Sequence, residues 1–237
     1  MPSKWNTDFT DWLTDRDIKL ALKPLERHYS EFRLFGPAPI DFNKKLGKCK
    51  CECVDKQLCD LNFSILKEFK EGKTKLAIIL NTDEHTESGS HWKCLYIEKR
   101  ENPDEVEIYK YDSSKGKEEK EVKRFIEGIR SELSSSSEYK NIHVHEDENA
   151  RVEQKSTSEC GMYSIVFLLE RVRQKRLLDV DSPIPEPHAA FGEPNNPDNP
   201  GTPKTKEGRP EKRGVYDDLQ ISQLRLQLFN HHDGHAR

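Results

Sequence analysis

Gln154-Lys155-Ser156-Thr157-Ser158-Glu159-Cys160-Gly161-Met162-Tyr163-Ser164 leads without a break into the apolar segment Ile165 to Leu169, so a polar loop ends in a cysteine at the mouth of an apolar helix. Unpaired N–H groups and the positive end of the helix dipole meet there, and both favour a thiolate over a thiol. Gly161 leaves the space beside the sulfur free of a side chain. Gln154, six residues upstream, can return its amide N–H2 to the same point as an oxyanion donor. Two readings stand open on this stretch alone: an activated nucleophile, or an ordinary buried cysteine, since free cysteine is among the most buried residue types.

A thiolate nucleophile needs an imidazole within hydrogen-bond reach, and the imidazole needs a carboxylate to hold its tautomer and orientation. His91-Trp92 opens a dense apolar run to Ile97, and twenty-one positions after His91 the segment Tyr111-Asp112-Ser113 closes another. If these runs pair antiparallel through a turn near Asn102-Pro103, His91 at the start of one lies beside Asp112 at the end of the next. Along the chain the order is His, Asp, Gln, Cys, whereas papain places its cysteine first.

At these residues the sequence resembles the ubiquitin-like-protein proteases, the SUMO proteases and their relatives, which share a clan with the adenoviral proteinase. The family's His-Trp pair is similar to His91-Trp92, its Asp-Ser to Asp112-Ser113, and its Gln and Cys-Gly to Gln154 and Cys160-Gly161. An upstream signature is similar to Trp12-Leu13-Thr14-Asp15-Arg16-Asp17-Ile18, so the resemblance spans roughly residues 10 to 175. Brevity and the segment Pro39-Ile40-Asp41-Phe42 resemble most the polyprotein-processing proteases of large cytoplasmic DNA viruses. The resemblance implies an α+β fold, a mixed central sheet flanked by helices, with a papain-like core in permuted order (His, Asp, Gln, Cys).

Composition bounds the rest. The 237 residues suffice for one catalytic domain plus a tail, and 35% charged against 33% hydrophobic residues fits a globular unit carrying solvated segments. A net charge of −4 offers no global field for nucleic acid, which is therefore disfavoured as a partner. No apolar run approaches the roughly 18 residues of a membrane span, and the start Met1-Pro2-Ser3-Lys4-Trp5 lacks a signal-peptide core. The expectation is a cytoplasmic protein, in host cytoplasm or virion if viral, without a membrane partner.

Taken in order, Thr14 and Asp17 can cap a helix whose apolar positions are Ile18, Ala21, Leu22 and Leu25, with Pro24 expected to kink or end it. Phe32 to Phe42 reads as an irregular connection, and Leu61, Ile65, Leu66 and Phe69 as a second helix closed by Gly72. Leu76 to Leu80, His91 to Ile97 and Val106 to Tyr111 read as strands, the first two apolar enough to be central. Val122, Phe125, Ile126, Ile129 and Leu133 face one side of a charged helix, Asn141 to His145 alternates like a strand, and the helix after Cys160 reaches about Arg176. Eight of the thirteen prolines fall between Pro183 and Pro210. The domain expectation is therefore a protease domain over 1–180, a Pro-rich linker over 181–213, and a C-terminal amphipathic helix and tail over 214–237 that docks on the domain or on a partner, or lies free.

Cys49, Cys51, Cys53 and Cys59 do not form the usual zinc knuckle, so free thiols in a surface loop are expected, and no metal or cofactor site. His85, His143 and His145 read as surface residues, and Cys94 as core.

The resemblance assigns His91 as base, Asp112 as its orienter, Cys160 as nucleophile and Gln154, with the Cys160 N–H, as oxyanion donor. It implies that indole rings, Trp92 and Trp12 here, wall a tunnel admitting glycine, so that the protein substrate is cut after Gly-Gly. Three substrates remain open: a viral structural polyprotein, which brevity favours, a ubiquitin-like precursor, or an isopeptide conjugate of a ubiquitin-like protein. A non-catalytic protease-like binding module is the rival from another class, but a binder has no chemical need for all four polar residues. A clan acyltransferase would need a basic cofactor pocket, which the sequence does not display.

Overall fold

The computed structural model describes residues 11–48, 50, 52–59, 63–102, 104–116, 119–145, 152–174 and 216–230. The elements run α1 Asp15–His28, β1 Phe32–Pro39, β2 Lys45–Leu46, β3 Glu52–Cys53, α2 Ile65–Lys70, β4 Lys75–Asn81, β5 Trp92–Lys99, β6 Glu105–Tyr111, α3 Lys120–Ser134, β7 Asn141–His145, α4 Cys160–Arg173 and α5 Asp218–Asn230. A five-stranded sheet carries the order β1-β4-β5-β6-β7. Its outer pairs, β1 with β4 and β6 with β7, are parallel, and the pairs β4 with β5 and β5 with β6 are antiparallel. This is the mixed sheet flanked by helices that the sequence predicts, with β4 and β5 in the interior of the order.

Period-two alternation divides the strand side chains between two cores. Ala77, Ile79, Cys94, Tyr96, Tyr109 and Tyr111 face one way, onto α1, α4 and α5. Ile78, Leu80, Leu95, Ile97, Val106 and Ile108 face the other, onto α2 and α3. Between the sheet and its outer helices, α4 is buried on nearly every face from Cys160 to Val172, which is why its sequence is apolar all round rather than striped.

Several expectations change. Phe32–Pro39 is a strand, not an irregular connection: as the sheet's edge it tolerates Pro37 and Pro39, and its register skips between Phe35 and Ala38. Gly36 sits in that skip at a φ of 78°, and a side-chain carbon there would come within 2.4 Å of the Ile79 carbonyl oxygen. Pro24 does not end α1, which continues because Leu25 is buried and its carbonyl accepts the Tyr29 N–H at 2.8 Å. At its other end the Thr14 and Asp17 capping box forms as expected. The helix after Cys160 stops at Arg173, where Gln174 takes the left-handed conformation.

Free thiols in a surface loop are also not what forms. Cys53 and Cys59 are buried and disulfide-bonded, with a Cα separation of 5.6 Å. Asp55 accepts the N–H groups of Gln57 and Leu58 and turns the chain so that the two cysteines meet. Cys49 and Cys51, the Pro-rich segment 181–213 and the terminal histidines lie outside the described residues. Among the described residues no helix is long and apolar enough to cross a membrane.

The C-terminal helix docks on the domain. Tyr216, Ile221, Leu224, Leu228 and Phe229 enter the core on the α4 side of the sheet.

Candidate active site

The antiparallel pairing of β5 with β6 sets Cys94 opposite Tyr111, so the residue before β5 and the residue after β6 share one end of the sheet. There His91 Nε2 lies 2.7 Å from Asp112 Oδ1. The Cys160 side chain, at the first position of α4, lies close enough to the same imidazole to help raise its pKa. With Nε2 committed to the carboxylate, Nδ1 is the nitrogen left for sulfur. Sequence separations of 21 and 69 residues are closed by the sheet and by α4 packing on β5.

Burial alone would lower the His91 pKa, but hydrogen bonds to Asp112 and Cys160 and the negative charge of both raise it to about 9. Burial likewise opposes ionisation of Asp112, yet His91 and Lys93 hold its carboxyl well below the usual carboxylate range. The site thus favours an imidazolium beside the Asp112 carboxylate.

Asp112 is held by more than the imidazole. Its Oδ1 accepts from the Ser114 N–H at 2.9 Å and the Ser114 hydroxyl at 3.0 Å, and its Oδ2 from the Gly116 N–H at 2.8 Å. Lys93 Nζ, from inside β5, stands 2.9 Å from Oδ2 and also 2.6 Å from Glu119. The Lys93 signal in the sequence was a cation embedded in an apolar run, an expensive placement unless a carboxylate waits for it.

Gln154 is buried beside the site. Its Oε1 accepts the Ser113 hydroxyl at 2.7 Å and its Nε2 donates to the Ser156 carbonyl at 2.8 Å. The primary amide carries a second N–H beyond the one that bonds Ser156.

Trp92 is 4% exposed, and its Nε1–H donates to the Leu13 carbonyl at 3.0 Å. The space next to Gly161 is not open: a side-chain carbon there would stand 3.1 Å from Leu13 and 3.2 Å from Trp92 Cδ1. Glycine instead lets α4 approach the indole. Trp12 precedes Leu13 and is 41% exposed, so the two tryptophans differ in kind, one packed and one at the surface.

Sequence reasoning missed the support that α5 gives to this loop. The Asp218 carboxylate accepts the Lys155 N–H at 3.0 Å, the Ser156 N–H at 2.7 Å and the Tyr163 hydroxyl at 2.9 Å. Arg225, 2% exposed, pairs with Glu159 at 3.5 Å and donates to the Asp11 carbonyl. Nothing local in residues 216–230 signals these partners, because they lie more than fifty positions away.

The remaining candidates lie elsewhere. His85 is not a bare surface residue: its N–H and ring Nδ1 bond Asp41 at 2.8 and 2.7 Å. His145 stacks on Tyr109 and pairs with Glu107. Glu105, Glu107 and His143 bring one ligand atom each within 4.8 Å of one another, a convergence the sequence did not suggest.

A thiol at a helix mouth, an imidazole on it and a carboxylate behind the imidazole define the class of the cysteine peptidases. Comparison with known proteins agrees: residues 64–190, more than half of the chain, match the Ulp1 protease family, C-terminal catalytic domain, and the chain belongs to that family. The candidate thiol protease R355 of Acanthamoeba polyphaga mimivirus is 28% identical over 166 residues, 68% of this chain. The match spans 47% of that relative, about half its length. The crystal structure of the ASFV pS273R protease superposes with a TM-score of 0.60 at 19% identity, covering 93% of this chain and 68% of that one, and shows that the fold is shared. The yeast Ulp1 protease domain, solved in complex with Smt3, the yeast orthologue of SUMO, is 16% identical over 72% of this chain and 69% of its own, with a TM-score of 0.41.

Proposed function

We propose that the protein is a cysteine endopeptidase that cleaves after Gly-Gly, processing viral structural polyproteins. The observation that carries the chemistry is the His91 ring held between Asp112 and the Cys160 thiol. In this reading the thiolate attacks the scissile carbonyl carbon, and the sulfur–carbon bond forms as the carbonyl π pair moves onto oxygen. His91 gives its proton to the leaving nitrogen as the C–N bond breaks. Water, deprotonated by His91, then displaces sulfur from the thioester. The Gln154 amide and the Cys160 N–H stabilise the tetrahedral oxyanion at both steps.

The Gly-Gly preference is supported by Trp92, which packs against Gly161 immediately after the nucleophile, with the exposed Trp12 proposed as the other wall. The viral substrate is supported by the similarity to a viral thiol protease. Incubating the protein with Gly-Gly vinyl-sulfone probes tests both points: one probe carries a short peptide and the other a ubiquitin-like domain. Labelling at Cys160 by the short-peptide probe, abolished in Cys160→Ala, is the expected result. Labelling only by the domain-bearing probe would move the substrate to ubiquitin-like conjugates, and no labelling by either would sink the peptidase reading.

A further inference from the structure

Ser113 follows Asp112 directly, and no step of the chemistry above uses it. It is 1% exposed and sits in the turn two residues after β6. That turn holds Asp112 against the imidazole and Ser113 against the loop that carries Gln154. Three bonds cross that seam. The Ser113 carbonyl accepts the N–H groups of Glu153 at 3.0 Å and Gln154 at 3.1 Å, and the Ser113 hydroxyl reaches Gln154 Oε1 at 2.7 Å.

The direction of the last bond is fixed by its neighbours. The Ser156 carbonyl can only accept, so the amide end 2.8 Å from it must be the N–H2, which turns Oε1 toward Ser113 and makes the Ser113 hydroxyl the donor. The two ends of a primary amide have almost the same shape, so packing alone does not choose between them. Turned over, the amide would present a lone pair where the reacting oxygen gains negative charge, converting stabilisation into repulsion.

We infer that Ser113 is a positioning residue that locks the Gln154 amide with its N–H2 toward the reacting oxygen; this rests on the reading of Gln154 as an oxyanion donor. The turn after β6 thus aligns base and oxyanion donor together, through adjacent residues.

The test compares the parent with Ser113→Ala, Gln154→Ala and the double variant on a peptide ending in a Gly-Gly aminocoumarin amide. Cys160 alkylation by iodoacetamide is followed alongside, because that displacement builds no oxyanion. Expected are at least a tenfold fall in kcat for Ser113→Ala with KM within about twofold, and no further fall on adding it to Gln154→Ala. Its alkylation rate should stay within about twofold of the parent. Parent-like kcat in Ser113→Ala while Gln154→Ala is slow would overturn the positioning role alone. So would an equal loss in both backgrounds, or an alkylation rate that falls in step with kcat, since either marks general disruption. Parent-like kcat in Gln154→Ala would remove the oxyanion reading and this role with it.

Discussion

Lys93 Nζ lies 2.9 Å from Asp112 Oδ2, the carboxylate oxygen that His91 does not use. With the Gly116 N–H at 2.8 Å, that oxygen faces two donors, while Oδ1 faces His91 and Ser114. Each of these groups is a donor. An asparagine therefore has no orientation in which its N–H2 avoids one. Asp112→Asn should be nearly as slow as Asp112→Ala, each at least about a hundredfold below the parent in kcat/KM, because a misdirected imidazole loses most of its value as a base. Steady-state rates of both variants check this. An asparagine variant close to the parent would show that the orienting group is another residue.

The His91 pKa near 9 sets the pH dependence. The value is raised above the ordinary 6.5, so the imidazolium and the ion-pair stability it brings are fully present below about 6.5. Both are lost as pH rises through about 9, when the ring gives up its proton. The alkaline limb of kcat/KM should accordingly fall near pH 9. In Asp112→Ala one of the groups raising the pKa is gone, and the limb should shift to lower pH. A pH–rate profile from 5 to 10.5 on both proteins is the measurement, and a limb that does not move would detach it from His91.

Arg225 is the other buried ion of the site region, facing Glu159 one residue before the nucleophile. Burial raises the Glu159 pKa while Arg225 pulls against it. Removing the guanidinium leaves a carboxylate uncompensated in the core, a loss of about 3 to 5 kcal/mol when one partner of a buried pair is deleted. Arg225→Met should cost about that much in urea unfolding, and Arg225→Met with Glu159→Gln should cost less than the single change. A double variant no more stable than the single would show that the Asp11 carbonyl, not Glu159, is the partner that matters.

What the sequence disclosed and what it hid divide along physical lines. The meeting of His91 with Asp112 was legible because they mark the ends of two apolar runs, and antiparallel pairing brings such ends together whatever the turn between them. Strand β1 was hidden because Gly36, Pro37 and Pro39 punctuate it, and only an edge strand tolerates them. The docking of α5 was hidden for a different reason. Amphipathic spacing shows that a face needs cover but not which surface supplies it, and Asp218 finds Ser156 across 62 positions. Lys93 stood in plain view, yet a lysine in a strand names no partner until Asp112 and Glu119 are placed around it.

The proposed Gly-Gly preference rests on Trp92, and the structure makes its test specific. The indole is buried, bonds Leu13 through Nε1 at 3.0 Å and stands beside Gly161, so one ring serves as core and as proposed tunnel wall. Alanine here would remove a large buried side chain at about 3 to 5 kcal/mol and confound the two roles. Trp92→Phe keeps an aromatic ring and loses the single hydrogen bond, about 1 kcal/mol. The variant should fold, cut Gly-Gly-X peptides more slowly and begin to accept Gly-Ala-X, so that the ratio of kcat/KM for the two peptides falls at least severalfold. That ratio is the quantity to measure, because partial unfolding lowers both rates together and leaves it unchanged. A parent that already cuts Gly-Ala-X as well as Gly-Gly-X would mean that the indole is core alone and that specificity is set elsewhere.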